Sequence, residues 1–371
     1  MRLKAAILAI AFLGFASTGS VMAERQDSPG AVYTMTNSDQ GNAVLMFSRS
    51  ADGSLGPAVD FATGGDGTGS GLGNQGGLIL SPDNRWLFVV NAGSDTISVF
   101  RVKPNRLTRI GVFDSEGGRP ISLTVDRNLL YVLNAGDESI SGFIIGRDGM
   151  LSFLEGSTRP LSGVGTGPAQ IGFSPDGNVL VVTEKATNNI DTYVVGADGL
   201  ASGPDVFASA GDTPFGFAFG KKNRLFVSEA FAGAPDASSV SSYMVYPDGY
   251  LEDISAIVPT TETAACWLVV TKNGRYAYTT NAGSGSVSGY GINKYGSIFL
   301  LNPDGQTGIT GPGSGPLDMA LSHNSRFLYT LNAGNGTISG FRVKSNGQLI
   351  NLPNPIQANG LPVGVNGLAA R

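Results

Sequence analysis

A recurring tripeptide constrains this chain more than anything else in it. Asn-Ala-Gly occurs at 91–93, 134–136, 281–283 and 332–334, each time between two apolar runs of strand length. Residues 87–90 precede Asn91, and Thr96, Ile97, Ser98, Val99 and Phe100 follow Gly93. Two more units keep the flanking runs but put Glu184 and Glu229 at the Asn position, and a seventh, less regular copy centres on Asn37. The seven positions are 54, 43, 50, 45, 52 and 51 residues apart. Within a unit, a run opening after a Pro or small residue leads to a turn such as Ser-Pro-Asp-Asn (81–84) or Ser-Pro-Asp-Gly (174–177). The two runs around the tripeptide follow. A second turn, such as Arg-Asp-Gly (147–149) or Pro-Asp-Gly (247–249), then opens a short fourth run at Leu151 or Leu251. Asp, Pro and Gly at these places set turn geometry. Four strands in about 45–50 residues describe one blade of a β-propeller.

The expected fold is therefore all-β: a seven-bladed propeller with four antiparallel strands per blade. The segment Pro362, Val363, Gly364, Val365 resembles a first strand with no unit after it, and the first unit, from Ala31, lacks one. A C-terminal strand joining the N-terminal blade would close the ring and remove both open edges. A two-domain β-sandwich fits the unbroken period poorly. Composition agrees: 54 of 371 residues are Gly, 41% are hydrophobic and 14% are charged. That is turn-rich and too apolar for a disordered chain.

Residues 1–23 read as a secretory leader: Arg2 and Lys4, an apolar stretch from Ala5 to Phe15, then Val21-Met22-Ala23 before Glu24. One domain, 24–371, would follow, secreted or periplasmic. A single Cys excludes an intrachain disulfide, and a single His excludes a three-His metal site. With a net charge of −5 and no Lys/Arg stripe along the chain, nucleic acid is not an expected partner. No membrane association is expected after leader cleavage, and the protein is expected to be a monomer.

In a repeat protein, whatever recurs is architecture and departures are informative. The Asn-Ala-Gly turns are thus structural. His323 sits in the turn after a first strand, facing away from the rim where first strands begin, and no Gly-x-Ser-x-Gly elbow exists to pair with it. Gly71, Gly73 and Gly76 match a dinucleotide fingerprint but precede a strand, so residues 64–77 read as a loop entering a blade, placed as a rim lid. Glu184 and Glu229 are departures with chemistry: paired carboxylates serve as general acid and base, or bind a divalent cation. The bland reading is an ion pair, for example of Glu184 with Lys185. The starts of the first strands also differ between blades, and they should line the channel mouth. There Gln75, Arg119, Gln170, Phe215, Cys266, Trp267, Asp318 and Asn366 would offer an amide, a cation, aromatic faces and an acid to a small polar ligand. The alternative is that they plug the channel.

The motif Ser81 to Phe100 and its copies resemble the lactonase-type seven-bladed propellers, a family that includes 6-phosphogluconolactonase and carboxymuconate cyclase. Thr183-Glu184-Lys185, Pro214 to Phe219, Ser228-Glu229-Ala230 and Ala264 to Trp267 resemble an exported branch. The resemblance implies Glu184 as acid/base. The family's Gly-Pro-Arg-His segment reads Gly167-Pro168-Ala169-Gln170 here, so its Arg and His are replaced. The expected function is a lactonase-like hydrolase or cyclase-like enzyme on a small polar lactone or carboxylated substrate. Glu184, Glu229, Gln170 and Arg119 would be catalytic; Gln75, Phe215, Cys266, Trp267, Asp318 and Asn366 would bind substrate; no cofactor is called for. The competing reading is a non-catalytic exported propeller holding a protein, glycan or small ligand. A metal held by Glu184, Glu229 and Asp318 is a third.

Overall fold

A computed structural model describes residues 29–352 and 360–371; the leader expected at residues 1–23 lies outside them. Seven antiparallel sheets form the ring, each four strands deep; in blades three and six the outermost strand is split into two short pieces, Leu151–Phe153 with Arg159–Pro160 and Ile298–Leu300 with Gly308–Ile309. Blade two shows the order from axis to periphery: Leu78–Leu80, Trp86–Asn91, Thr96–Lys103, Arg106–Asp114. Blades three to seven repeat it, with innermost strands Pro120–Asp126, Pro168–Phe173, Pro214–Phe219, Ala265–Val270 and Pro316–Leu321. Blade one takes Gly30–Met35, Ala43–Arg49 and Leu55–Ala62 from the N-terminus and its innermost strand, Asn366–Ala370, from the C-terminus. That strand begins just after the segment the repeat singles out, because residues 361–365 are spent entering the ring. Val32 faces Ala370 and Met35 faces Asn366 across the closure.

Burial follows position in the blade. Second strands such as Trp86–Asn91 are buried throughout, packed between neighbouring blades. Such strands read as continuous apolar runs, since both faces are covered. Fourth strands such as Leu55–Ala62 are largely exposed. Second-strand tyrosines also latch blades together: the hydroxyls of Tyr131, Tyr278 and Tyr329 donate to the carbonyls of Gly199, Gly347 and Gly53, each in the outer turn of the next blade. The same turn shows why glycine recurs there. Gly149 has φ +92°, and a Cβ would lie 2.6 Å from the Trp86 ring of the preceding blade.

This alternation defines two rims. Innermost strands begin, and second strands end, at the upper rim. The turns after innermost strands, and those between third and fourth strands, form the lower rim.

Candidate functional site

At the upper rim the ordinary blade ends in an Asn–Ser pair. Asn91 Nδ2 donates to Ser98 Oγ at 2.8 Å, Asn281 to Ser288 at 2.9 Å and Asn332 to Ser339 at 2.8 Å. The amide ties the second strand to the third.

Blade four replaces both partners. Glu184 stands in place of the Asn, and Asp191, seven residues on, in place of the Ser; both are fully buried. Ser162, from the loop leading into the blade, clamps the pair. Its N–H reaches Glu184 Oε1 (3.1 Å) and Asp191 Oδ2 (3.0 Å), and its hydroxyl donates to Glu184 Oε2 (2.5 Å). Thr187 Oγ1 donates to the same oxygen at 2.5 Å. Burial, then the adjacent Glu184, pushes the Asp191 carboxyl up to about 8. Two buried carboxyls in contact cannot both ionise, so the pair holds a proton near neutrality. Asp191 also departs from the repeat. The signal is readable once the serines at 98, 141, 288 and 339 are aligned.

Blade five takes a different course. Glu229 keeps serine partners: Ser239 donates to Oε2, and the Gly211 N–H to Oε1 at 3.2 Å. Burial raises its carboxyl despite these donors. Glu184, Glu229 and Asp318 do not assemble: among the described residues no three His, Cys, Asp or Glu side chains group as a metal would need.

Lys185 turns away from Glu184. Its ammonium donates to the carbonyls of Pro168 (2.8 Å) and Gly73 and lies 5.0 Å above the Phe215 ring. Burial lowers it to about 8; Cys266 pushes back, and the Arg119 charge lowers it further. Arg119 itself is exposed at this rim, held at φ +54° by Asp95, which accepts its N–H at 2.6 Å.

The remaining strand-start residues do not form one open mouth. The loop of residues 64–77 does enter at the upper rim, and it carries Asn74 and Gln75 into the axial channel. Gln75 spans the ring, its amide pairing with both the N–H (3.0 Å) and the carbonyl (2.8 Å) of Leu268. Trp267 Nε1 donates to the Asn74 carbonyl at 2.7 Å, and Phe215 packs on Trp267 with ring centres 4.9 Å apart. Cys266 is buried, its thiol raised to about 12 by burial. Gln170 pairs with both backbone groups of Phe217, at 2.7 and 3.0 Å. Asp318 accepts N–H groups from Met319 (2.8 Å) and Leu368 (3.1 Å), and burial raises it to about 7. Asn366 is buried at the closure, its carbonyl accepting from Thr34 at 3.1 Å. Gln170 and Asp318 thus staple neighbouring blades, four to five and seven to one, while Gln75 ties the entering loop to blade six across the axis. Below them a cavity of about 370 Å³ opens towards the lower rim, lined by Leu80, Val125, Phe173 and Phe219 with Gln75, Gln170 and Asp318. His323 lies at the lower rim, where Lys272 Nζ approaches its Nε2 at 3.0 Å.

Residues 27–230 match the family model described as lactonase, 7-bladed beta-propeller. The chain belongs to this lactonase-type propeller family. No curated protein matches it. Among solved structures, a protein from Lactobacillus plantarum superposes with a TM-score of 0.74 at 16% identity, covering 92% of this chain and 99% of that one. The periplasmic gluconolactonase of Pseudomonas aeruginosa gives 0.70 at 17% identity, over 91% and 99%. The virginiamycin B lyase of Staphylococcus aureus gives 0.53 at 14% identity, over 77% and 86%. At such identities the likeness is one of fold, and this lactonase-type fold carries more than one chemistry. Among the described residues no helix is long and apolar enough to cross a membrane.

Proposed function

We propose that this lactonase-type propeller is an exported, periplasmic hydrolase that opens a small lactone bearing an acidic group, at the upper rim of blade four. One observation carries the reading: the Asn–Ser pair of ordinary blades becomes Glu184–Asp191, two buried carboxyls held side by side by Ser162 under a short loop. A half-protonated pair can take a proton from water and return one to a leaving alkoxide. Water would add to the lactone carbonyl as Glu184 accepts its proton. The ring C–O bond would break, and Asp191 would resupply the proton to the alkoxide oxygen. Lys185 and Arg119 supply positive charge at the same rim for the substrate's acidic group or the developing oxyanion. Ser162 must release Glu184 for substrate to enter. Its loop includes Val164, 93% exposed. Glu229 in blade five and Gln170, Gln75, Phe215, Cys266, Trp267, Asp318 and Asn366 around the axis are bonded or packed within the ring, and the reading gives them no part in the chemistry. The exported reading draws on the leader-like residues 1–23 and on the fold shared with a periplasmic gluconolactonase.

The test is proton release from a lactone panel in a weakly buffered indicator assay. Wild type should release one proton per ring opened, and Glu184→Gln should be silent while melting normally. Turnover retained by Glu184→Gln would remove Glu184 from the mechanism.

A second reading rests on the plugged channel. With Asn74 and Gln75 bonded to blades three, four and six, the axis is stapled shut from above, as suits a non-catalytic propeller that binds through its rims. Silence from wild type across the panel would favour it.

A further inference from the structure

The lower rim carries a charge asymmetry that the fold does not require. Its turns use an Asx cap, in which a side-chain oxygen accepts the N–H two residues on. Blades one to five build these caps with aspartate: Asp52, Asp83, Asp148, Asp176, Asp198 and Asp248, at 2.9–3.2 Å. Blades six and seven build the same cap with asparagine: Asn273 (2.9 Å), Asn293 (2.8 Å), Asn324 (3.1 Å) and Asn346 (3.2 Å). The hydrogen bond is kept and the charge is removed, four times, in one sector.

The same sector gathers cations. The cleft between blades five and six, about 330 Å³, is lined by Lys221, Lys222, Arg224, Arg275 and Lys294. The cleft between blades six and seven, about 400 Å³, is lined by Lys272, Arg326 and Lys344. No described carboxylate lines either one. The corresponding cleft between blades two and three holds Asp83 and Asp126 beside its arginines, and that between three and four holds Asp126 and Asp198 beside Arg127. In a chain of net charge −5, two adjacent acid-free cationic clefts form a local field of opposite sign.

We propose that this sector binds an acidic polysaccharide, one carboxylated sugar unit seated in each cleft and the chain crossing blade six between them. Each cleft has room for about one sugar ring. Asn273, Asn293, Asn324 and Ser325 add neutral donors and acceptors suited to hydroxyls. The aromatic rings lining the clefts, Phe226 and Tyr276, are buried, and the exposed ring of Tyr295 at the cleft edge has the Lys294 ammonium 4.8 Å from its centre. This surface is on the rim opposite Glu184 and does not depend on the hydrolase reading.

The test is titration with oligogalacturonate at low ionic strength. Wild type should bind, and salt should weaken binding. The variant Asn273→Asp/Asn293→Asp/Asn324→Asp/Asn346→Asp keeps every cap and restores four charges; it should bind about ten-fold more weakly or worse. The mirror variant Asp83→Asn/Asp148→Asn/Asp176→Asn/Asp198→Asn should not weaken binding. Should the first variant melt abnormally, Lys272→Gln/Lys294→Gln, at two exposed side chains, replaces it with the same expected loss. No binding by wild type, or undiminished binding by the sector variant, overturns the proposal. Tighter binding to single-stranded DNA or to phosphatidylglycerol vesicles than to oligogalacturonate overturns the polysaccharide assignment in favour of that partner.

Discussion

At the scale of single residues, the Glu184–Asp191 pair is the chain's largest departure from its own repeat, and it leaves a thermodynamic signature independent of any substrate. Asp191 titrates near 3.8 in the unfolded chain and near 8 when folded. Between those values the folded state holds a proton that the unfolded state has lost. Stability from this group is therefore greatest at low pH and falls as pH rises through the folded value near 8. The raised Asp318 and Glu229 carboxyls act in the same direction, so the diagnostic is a difference: Asp191→Asn should flatten part of the wild-type slope in urea melts at pH 5, 6.5 and 8. An unchanged slope would show that the pair does not share a proton. The double variant Glu184→Asn/Asp191→Ser restores the pair of blades two, six and seven. It should be about 1–3 kcal/mol more stable than wild type at pH 8, because a buried ionic arrangement gives way to a neutral hydrogen bond. It should also release no proton from any lactone. Lower stability would mean that the carboxyls serve the blade and not a reaction.

At the scale of elements, the Asn74–Gln75 plug behaves as part of the core although it lies in a loop. Gln75→Ala leaves the N–H and carbonyl of Leu268 without their partner in the buried channel, an expected loss of roughly 1–3 kcal/mol by chemical denaturation. A loss within a few tenths of a kcal/mol would indicate that water replaces the amide. The plug also shows where reading the sequence stops. Strand order, blade number and the turns around Asn91, Asn134, Asn281 and Asn332 were legible because each is local and repeated. Glu184 was legible as a departure, and Asp191 was legible in principle by the same comparison. Gln75 was visible as variable, but its partner is 193 residues away. Nothing local says whether an amide at a strand start faces a ligand or a neighbouring blade. The cationic sector was hidden for the same reason. Lys222, Lys272, Arg326 and Lys344 are far apart along the chain, and only the return of each blade to the same rim brings them together.

At the scale of the whole molecule, the decisive feature is closure. A linear repeat array tolerates loss of a terminal strand, since each unit leans only on its neighbours. A ring does not, because Asn366–Ala370 is at once the innermost strand of blade one and the neighbour of blades two and seven. Arg371 adds a clasp: its N–H donates to the Ala31 carbonyl at 3.0 Å, its Nε to the Tyr33 hydroxyl at 2.9 Å, and its guanidinium to the Pro104 carbonyl of blade two at 2.8 Å. Removing residues 366–371 exposes the edge of Gly30–Met35, whose five residues from Ala31 to Met35 are buried. The truncated chain should lose its single cooperative melt and self-associate through that edge. Arg371→Ala keeps the strand and removes only the guanidinium bonds, so it should melt cooperatively with a loss of about 1–3 kcal/mol. Calorimetry with light scattering separates the cases. If the truncated chain melted as one monomeric transition near the wild-type temperature, blade one would be stable without its C-terminal strand, and closure would be a matter of topology alone.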